Sequence, residues 1–431
     1  MAYKKSAYRK LKDSIKAIIT DMGKKSPAIR KLYINGLDKK RHKRYLKYAN
    51  LPIDDKAIIF ESFMAKRYAD SPRAIYEYML NSPEYKDYHF YWSFLATCMD
   101  DYMWLNDNER TTVIQYGNEA YYKLFATAKY WVVNSRIIDA IDVRPEQVYI
   151  QCWHGTPLKR LGFDIQVEGD NALHSKEALC RHYRIDAGKY TYMVSPSAFC
   201  TEKFTSAFAL KDIGRENIII EEGYPRNDFL VNHSIDDEKR VKKELGIPED
   251  KKVILYAPTW RDNQHDATQG YVFDNPLDFD RLKEEFAGEY IVLFRPHYFI
   301  ANAFDFSKYE GWVYDVSAYP DINELYIVSD ILITDYSSVF FDYSILKRPM
   351  LFYMYDLKYY QDTVRGFYIS LDELPGPIIE EQDELMDKLR TIDEWTRGDE
   401  YRAKYKTFSD KFTYLDDGHA SDRVVKRIFG K

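Results

Sequence analysis

The chain has 431 residues, 45% hydrophobic and 30% charged, which excludes a disordered polymer and allows two or three domains with sizeable cores. Net charge is −6, but residues 1–47 hold sixteen Lys/Arg against three acids, so a +13 arm precedes a −19 body. That body argues against a nucleic-acid partner, and no uninterrupted apolar window is long enough to span a bilayer.

Within the arm, Leu11, Ile15, Ile18 and Ile19 share one helical face among lysines. This basic amphipathic pattern predicts contact between residues 1–47 and an anionic membrane surface. A solvated helix packed on its own domain is the alternative. Next, KAIIFESF (56–63) reads as a buried strand. SPRAIYEYML (71–80) reads as a helix capped by Ser71 with Pro72 in its first turn. YHFYWSFL (88–95) is an aromatic strand-like run, NEAYYKLFATA (118–128) a helix, KYWVVNS (129–135) and QVYIQCW (147–153) further strands. KYTYMVSPS (189–197) predicts a strand entering a helix, and NIIIEEGYPRND (217–228) a strand and turn. HSIDDEKRVKKELGIPEDKK (233–252) predicts a charged helix ending at Gly246–Pro248.

Alternation then restarts, with strands predicted in 251–262, 288–298, 329–338 and 349–356 and a helix over 339–347. Strands alternating with helices imply two doubly wound α/β halves with parallel sheets. The expected organisation is an arm (1–50), an N-terminal Rossmann-like domain (51–232), a C-terminal one (233–405) and a terminal helix (406–431). Four cysteines without C-x-x-C spacing, and a basic N-terminus lacking a secretory signal's apolar core, predict a reducing, cytoplasmic setting.

Open parallel sheets bind ligands outside the carboxyl ends of their strands. The residues there are Trp153-His154-Gly155-Thr156-Pro157, then Pro258-Thr259-Trp260-Arg261, Arg295-Pro296-His297, and Thr334-Asp335-Tyr336-Ser337-Ser338. Guanidinium, hydroxyl and imidazole groups with almost no acids suit phosphate. Ser337 and Ser338 sit where a helix should begin, whose unpaired N–H groups attract anions; a plain N-cap is the alternative. Asp342, one turn on, could take a sugar or alditol hydroxyl or complement the helix dipole. His154 has the chemistry of a general base near neutral pH, with Lys159 and Arg160 favouring its neutral form; a core histidine bonded to a carbonyl is the alternative. His297 is the second such candidate. No P-loop, G-x-G-x-x-G, H-E-x-x-H or G-x-S-x-G occurs, and no acidic metal cluster, so neither cofactor nor metal is expected.

The ordered set WHGTPLKRLG (153–162), GYPRND (223–228), YAPTWRD (256–262), RPH (295–297) and TDYSSVFFDY (334–343) resembles the CDP-glycerol glycerophosphotransferase family of teichoic acid and capsule polymer synthesis. IIFESF (58–63) and DDGHASDR (416–423) match as well, so the likeness covers about residues 55–425. The resemblance implies a GT-B-like pair of Rossmann-type domains facing a cleft. It implies donor contacts at Trp153, His154, Gly155, Thr156, Pro157, Arg226, Pro258, Thr259, Arg295, Pro296, His297, Ser337, Ser338 and Asp342. Arg261, Thr334 and Asp335 are additional candidates. One departure is Met64–Ala65, where family members often carry a glycine. The implied reaction moves an alditol phosphate from a CDP-alditol to a hydroxyl of a lipid-linked polymer, with His154 as base, at the inner face of the cell membrane. CDP-ribitol as donor, a GT-B sugar-nucleotide glycosyltransferase and a catalytically inert lipid-binding protein are the alternatives.

Overall fold

The computed structural model describes residues 27–166, 176–259, 265–266, 270–271, 276–296, 305–358 and 366–430. The amphipathic stretch Leu11–Ile19, Arg261 and His297 lie outside them.

Fifteen strands are described, β1 (Asp54–Glu61), β2 (His89–Phe94), β3 (Thr111–Gln115), β4 (Ala128–Val133), β5 (Val148–Gln151), β6 (Tyr192–Ser195), β7 (Ile219–Glu221), β8 (Lys252–Ala257), β9 (His265–Asp266), β10 (Gly270–Tyr271), β11 (Tyr290–Phe294), β12 (Val313–Asp315), β13 (Ile331–Thr334), β14 (Met350–Tyr353) and β15 (Ile378–Ile379). One sheet runs β3-β2-β1-β4-β5-β6-β7, another β12-β11-β8-β13-β14-β15, and β9–β10 form a small antiparallel pair. In both large sheets the order reverses beside the first strand, the Rossmann arrangement, whose switch point is the usual ligand crevice. Pairing is parallel throughout the second sheet and in the β2–β3, β5–β6 and β6–β7 pairs. The α/β class and the two doubly wound halves are as the sequence predicts.

The central strands are apolar because helices cover both faces of a parallel sheet. Ile58, Ile59 and Phe60 of β1, Val253 and Leu255 of β8, and Leu332 and Ile333 of β13 are all buried. Helix ends follow local chemistry. Asn118 caps Glu119–Thr127 and Ser197 caps Ala198–Ala207. Ser234 and Asp237 form a capping box on Ile235–Leu245, which ends at Gly246 in the left-handed region. The helix expected from Ser71 instead begins at Asp70, with Ala69 in the cap position and no side-chain cap bond. Ser71 is fully buried, and its hydroxyl accepts the backbone N–H of Arg226 at 3.4 Å.

The chain divides into two compact units. The first gathers described residues up to Ile59 with Tyr88–Trp131 and Arg136–Val148. In it, Tyr45 is buried and donates to the Asp142 carbonyl, and Gln147 Nε2 donates to the carbonyls of Phe125 and Ala128. The second unit, Phe60–Asp87, Val132–Ser135 and the described residues from Tyr149 on, contains every residue of the site below. No helix among the described residues is long and apolar enough to cross a membrane.

Candidate active site

Just beyond β5 the chain turns at Trp153, whose φ of +54° is left-handed. The Gln151 side chain accepts the Trp153 N–H at 2.8 Å and supports this costly conformation. The Trp153 ring stacks on His154 at 4.5 Å and meets Phe204 and Phe208 edge-on. Phe63 approaches the imidazole from another side. His154 Nδ1 lies 2.7 Å from the Asn134 carbonyl. A carbonyl only accepts, so Nδ1 carries the proton and Nε2 presents its lone pair. The side chain is accessible, yet protein surrounds it, because it opens onto a cavity rather than bulk water. Burial lowers its pKa below the ordinary histidine value, against the opposing pull of the Asn134 carbonyl and Asp70.

Gly155 is pressed against the other wall, where a Cβ would come within 3.3 Å of Ser338 Oγ. That wall is built at the switch point between β8 and β13. Asp335 Oδ1 accepts the N–H groups of Thr259 (2.8 Å) and Tyr336 (2.6 Å), tying the two strand exits together. Thr334 donates its hydroxyl to the Ala257 carbonyl. Thr334 and Asp335 are thus buried behind the wall and do not line the cavity. Ser338 precedes the short helix Val339–Tyr343 and makes no side-chain cap bond, so the plain N-cap reading does not describe it.

One cavity of about 480 Å³ brings together Trp153, His154, Gly155, Thr156 and Pro157 from the β5 exit, Pro258 and Thr259 from β8, Arg295 and Pro296 from β11, and Ser337 and Ser338 from β13. It also contains Arg67, Lys159, Ser317 and Tyr336, and no carboxylate among the described residues. Arg295 Nη1 donates to the carbonyls of Val316 (2.7 Å) and Tyr319 (3.1 Å). Burial and then the neighbouring Arg67 lower its pKa to about 10, so it stays charged at neutral pH. The cations and hydroxyls of the described lining have the chemistry that suits an anion.

Arg67 escaped the sequence reading. It follows β1, whose exit lacks the His, Arg and Ser clusters that mark those of β5, β11 and β13. The chain reaches it through Phe63, Met64 and Ala65, all at positive φ (48°, 57° and 63°). Non-glycine residues there cost roughly 1–2 kcal/mol each. The backbone N–H groups of Phe63 and Met64 are held by Asn134 Oδ1 and Ser135 Oγ, both at 2.8 Å. The Met64–Ala65 departure therefore falls where glycine would relieve strain.

Arg226 and Asp342 do not line this cavity; they are spent on each other. Arg226 Nη2 donates to both Asp342 oxygens (2.9 and 3.1 Å), and Nη1 to Asp70 (3.1 Å). Asn227 Nδ2 links Asp342 (3.2 Å) to Asp416 (3.1 Å).

The Asp416 carboxyl is pushed up to about 8, chiefly by burial and also by Asp342, against the Asn227 hydrogen bond and Arg226. Its ordinary value is 3.8, so between roughly pH 4 and 8 the folded chain binds a proton that the unfolded chain has released. Stability from this group is present at acidic pH and is lost as pH rises through that window. Asp416→Asn is expected to raise the melting temperature at pH 8 and to have little effect at pH 4, as read by thermal denaturation at both.

The profile of the family described as CDP-Glycerol:Poly(glycerophosphate) glycerophosphotransferase matches residues 43–430. The teichoic acid poly(glycerol phosphate) polymerase of Bacillus subtilis (strain 168) is 43% identical over 89% of this chain. The chain spans about half the length of that relative, 50%. The teichoic acid glycerol-phosphate transferase of Staphylococcus aureus (strain NCTC 8325 / PS 47) is 39% identical over 86% of this chain and 92% of its own length. The solved structure of the wall teichoic acid polymerase TagF has a TM-score of 0.81 and 38% identity, covering 93% of this chain and 96% of that one. At 11% identity, the UDP-GlcNAc 2-epimerase of Neisseria meningitidis shares the fold alone, with a TM-score of 0.51. By the extent of these matches, the chain belongs to the CDP-glycerol:poly(glycerophosphate) glycerophosphotransferase family.

Proposed function

We propose that the chain transfers glycerol phosphate from CDP-glycerol to a hydroxyl of a growing, lipid-linked teichoic acid or capsule polymer and releases CMP. The observation that carries this reading is the cavity, without a carboxylate among its described residues, in which a neutral His154 is gathered with Arg295, Ser337 and Ser338. The acceptor oxygen attacks the glycerol-bearing phosphorus in line. The new P–O bond forms as the bond from that phosphorus to the CMP oxygen breaks, and the hydroxyl proton passes to His154 Nε2. Arg295 and the serine hydroxyls stabilise charge on the diphosphate, so catalysis is positioning and electrostatics with one proton transfer. A TagF soaked with CDPG has the same fold at a TM-score of 0.81 and 36% identity, which supports the donor class. The poly(glycerol phosphate) polymerases and the glycerol-phosphate transferase are 39–43% identical, the ribitol-phosphate polymerases 32–33% and a glycerol-phosphate primase 30%, which favours glycerol and likens the chain to the polymerases and the transferase more than to the primase.

In the same reading, residues 51–232 serve the acceptor and 233–405 the donor. Residues 1–47 hold the enzyme peripherally on the inner, anionic face of the cell membrane. The helix Pro27–Leu46 has no acid in its first turn and carries Lys43 in its last, which suits that surface, while Arg44 beside it is engaged by Glu119 and the Gly117 carbonyl. The test is to incubate the full chain with CDP-glycerol, CDP-ribitol or UDP-GlcNAc and an acceptor ending in glycerol phosphate, reading CMP release and product mass. CMP release with growth by whole glycerol phosphate units is expected with CDP-glycerol. Turnover of the UDP-sugar alone would overturn the proposal.

A further inference from the structure

A second cavity, of about 290 Å³, adjoins the first and shares His154, Arg67, Arg295 and Ser338 with it. Its chemistry differs. Asp70, Asp321 and Asp342 line it, whereas the first cavity has no carboxylate among the described residues. These acids are matched by cations, Asp70 and Asp342 by Arg226 and Asp321 by Arg73. Arg67 and Arg295 are not matched, since neither has a carboxylate within ion-pair distance among the described residues. Arg67 Nη1 donates to the carbonyls of Tyr319 (2.5 Å) and Pro320 (3.0 Å), and Arg295 Nη1 also donates to Tyr319. Each guanidinium is pinned by one nitrogen, leaving the Nε–Nη2 edge without a hydrogen-bond partner among the described residues. That edge is the fork that grips a phosphate in a bidentate fashion. Two like charges held on one carbonyl repel each other, and anions relieve the repulsion.

In-line transfer needs the nucleophile and the leaving group on opposite sides of phosphorus. Two cavities meeting at His154 supply two such approaches, and two uncompensated arginines match two anionic substrates. We infer that the second cavity holds the terminal glycerol phosphate of the acceptor and that Arg67 grips its phosphate, while Arg295 serves the donor. This assignment rests on the transfer reading above. The second cavity suits a polyol because carboxylates accept hydrogen bonds from hydroxyls, while the first cavity suits the diphosphate. The strained turn through Phe63–Ala65 is the device that delivers Arg67 to the place where the two cavities meet.

The test compares two acceptors on one lipid carrier, ending either in glycerol phosphate or in an ether-linked glycerol without phosphate. Wild-type protein is expected to prefer the phosphorylated acceptor. Arg67→Ala should lower kcat/KM for that acceptor by roughly 10–100-fold and collapse the preference, with the CDP-glycerol KM little moved. Arg67→Lys, which keeps the charge, should retain part of the preference and controls for folding. Pro320→Trp, at an exposed position lining only the second cavity, should raise the acceptor KM. Ser317→Trp, lining only the first, should raise the donor KM. Equal loss with both acceptors in Arg67→Ala, or a raised donor KM in Pro320→Trp, would overturn the inference while wild-type transfer stood. A wild-type enzyme that releases no CMP with either acceptor would overturn the transfer reading and this assignment together.

Discussion

His154→Ala is expected to lower turnover by roughly 10²–10⁴-fold while CDP-glycerol still binds. The Asn134 carbonyl fixes the proton on Nδ1, so Nε2 has nothing to do except accept one. Burial then keeps the ring neutral below the pH at which an ordinary histidine would charge. The acid limb of kcat/KM should therefore lie below pH ~6.5, the reference histidine value. Activity is lost as pH falls through the depressed pKa and is full above it. Steady-state kinetics across pH, with calorimetric titration of CDP-glycerol into wild type and variant, check both parts. Unchanged turnover would remove the base from this residue. Lost binding would make it a binding group.

Arg226→Met is expected to destabilise the fold by about 3–5 kcal/mol. Arg226 is almost fully buried, with only 5% of its side chain exposed, and it is the shared partner of two carboxylates, Asp70 and Asp342. Removing it leaves both acids buried near each other without compensation, far costlier than losing one hydrogen bond. Arg226→Lys keeps the charge but cannot make the two-oxygen contact to Asp342, so an intermediate loss is expected. Urea denaturation measures both. A variant that folds with wild-type stability but no longer binds CDP-glycerol would return Arg226 to the donor-contacting role that the family resemblance implies.

The convergence of Thr259, Arg295 and Ser337 was legible because a parallel sheet delivers the exits of all its strands to one edge. His154 leaves a strand of the other sheet, and its place on the same cavity is what the structure adds. The ion pair between Arg226 and Asp342 was not legible. Both looked like ligand groups because no local pattern records that two side chains 116 residues apart will meet. Arg67 was hidden for another reason. The turn that carries it uses Phe63, Met64 and Ala65 at positive φ, where glycine would have been the visible signal. Short edge strands escaped as well. Thr111–Gln115 and Val313–Asp315 lack the continuous apolar run of central strands because an edge has one neighbour rather than two.

The most direct test is a crystal structure of the His154→Ala protein soaked with CDP-glycerol. The account predicts the diphosphate in the first cavity, within hydrogen-bonding distance of Arg295 and of a Ser337 or Ser338 hydroxyl, with the glycerol-bearing phosphorus facing the position vacated by the imidazole. Nucleotide bound elsewhere on the chain, with that cavity still empty, would contradict it.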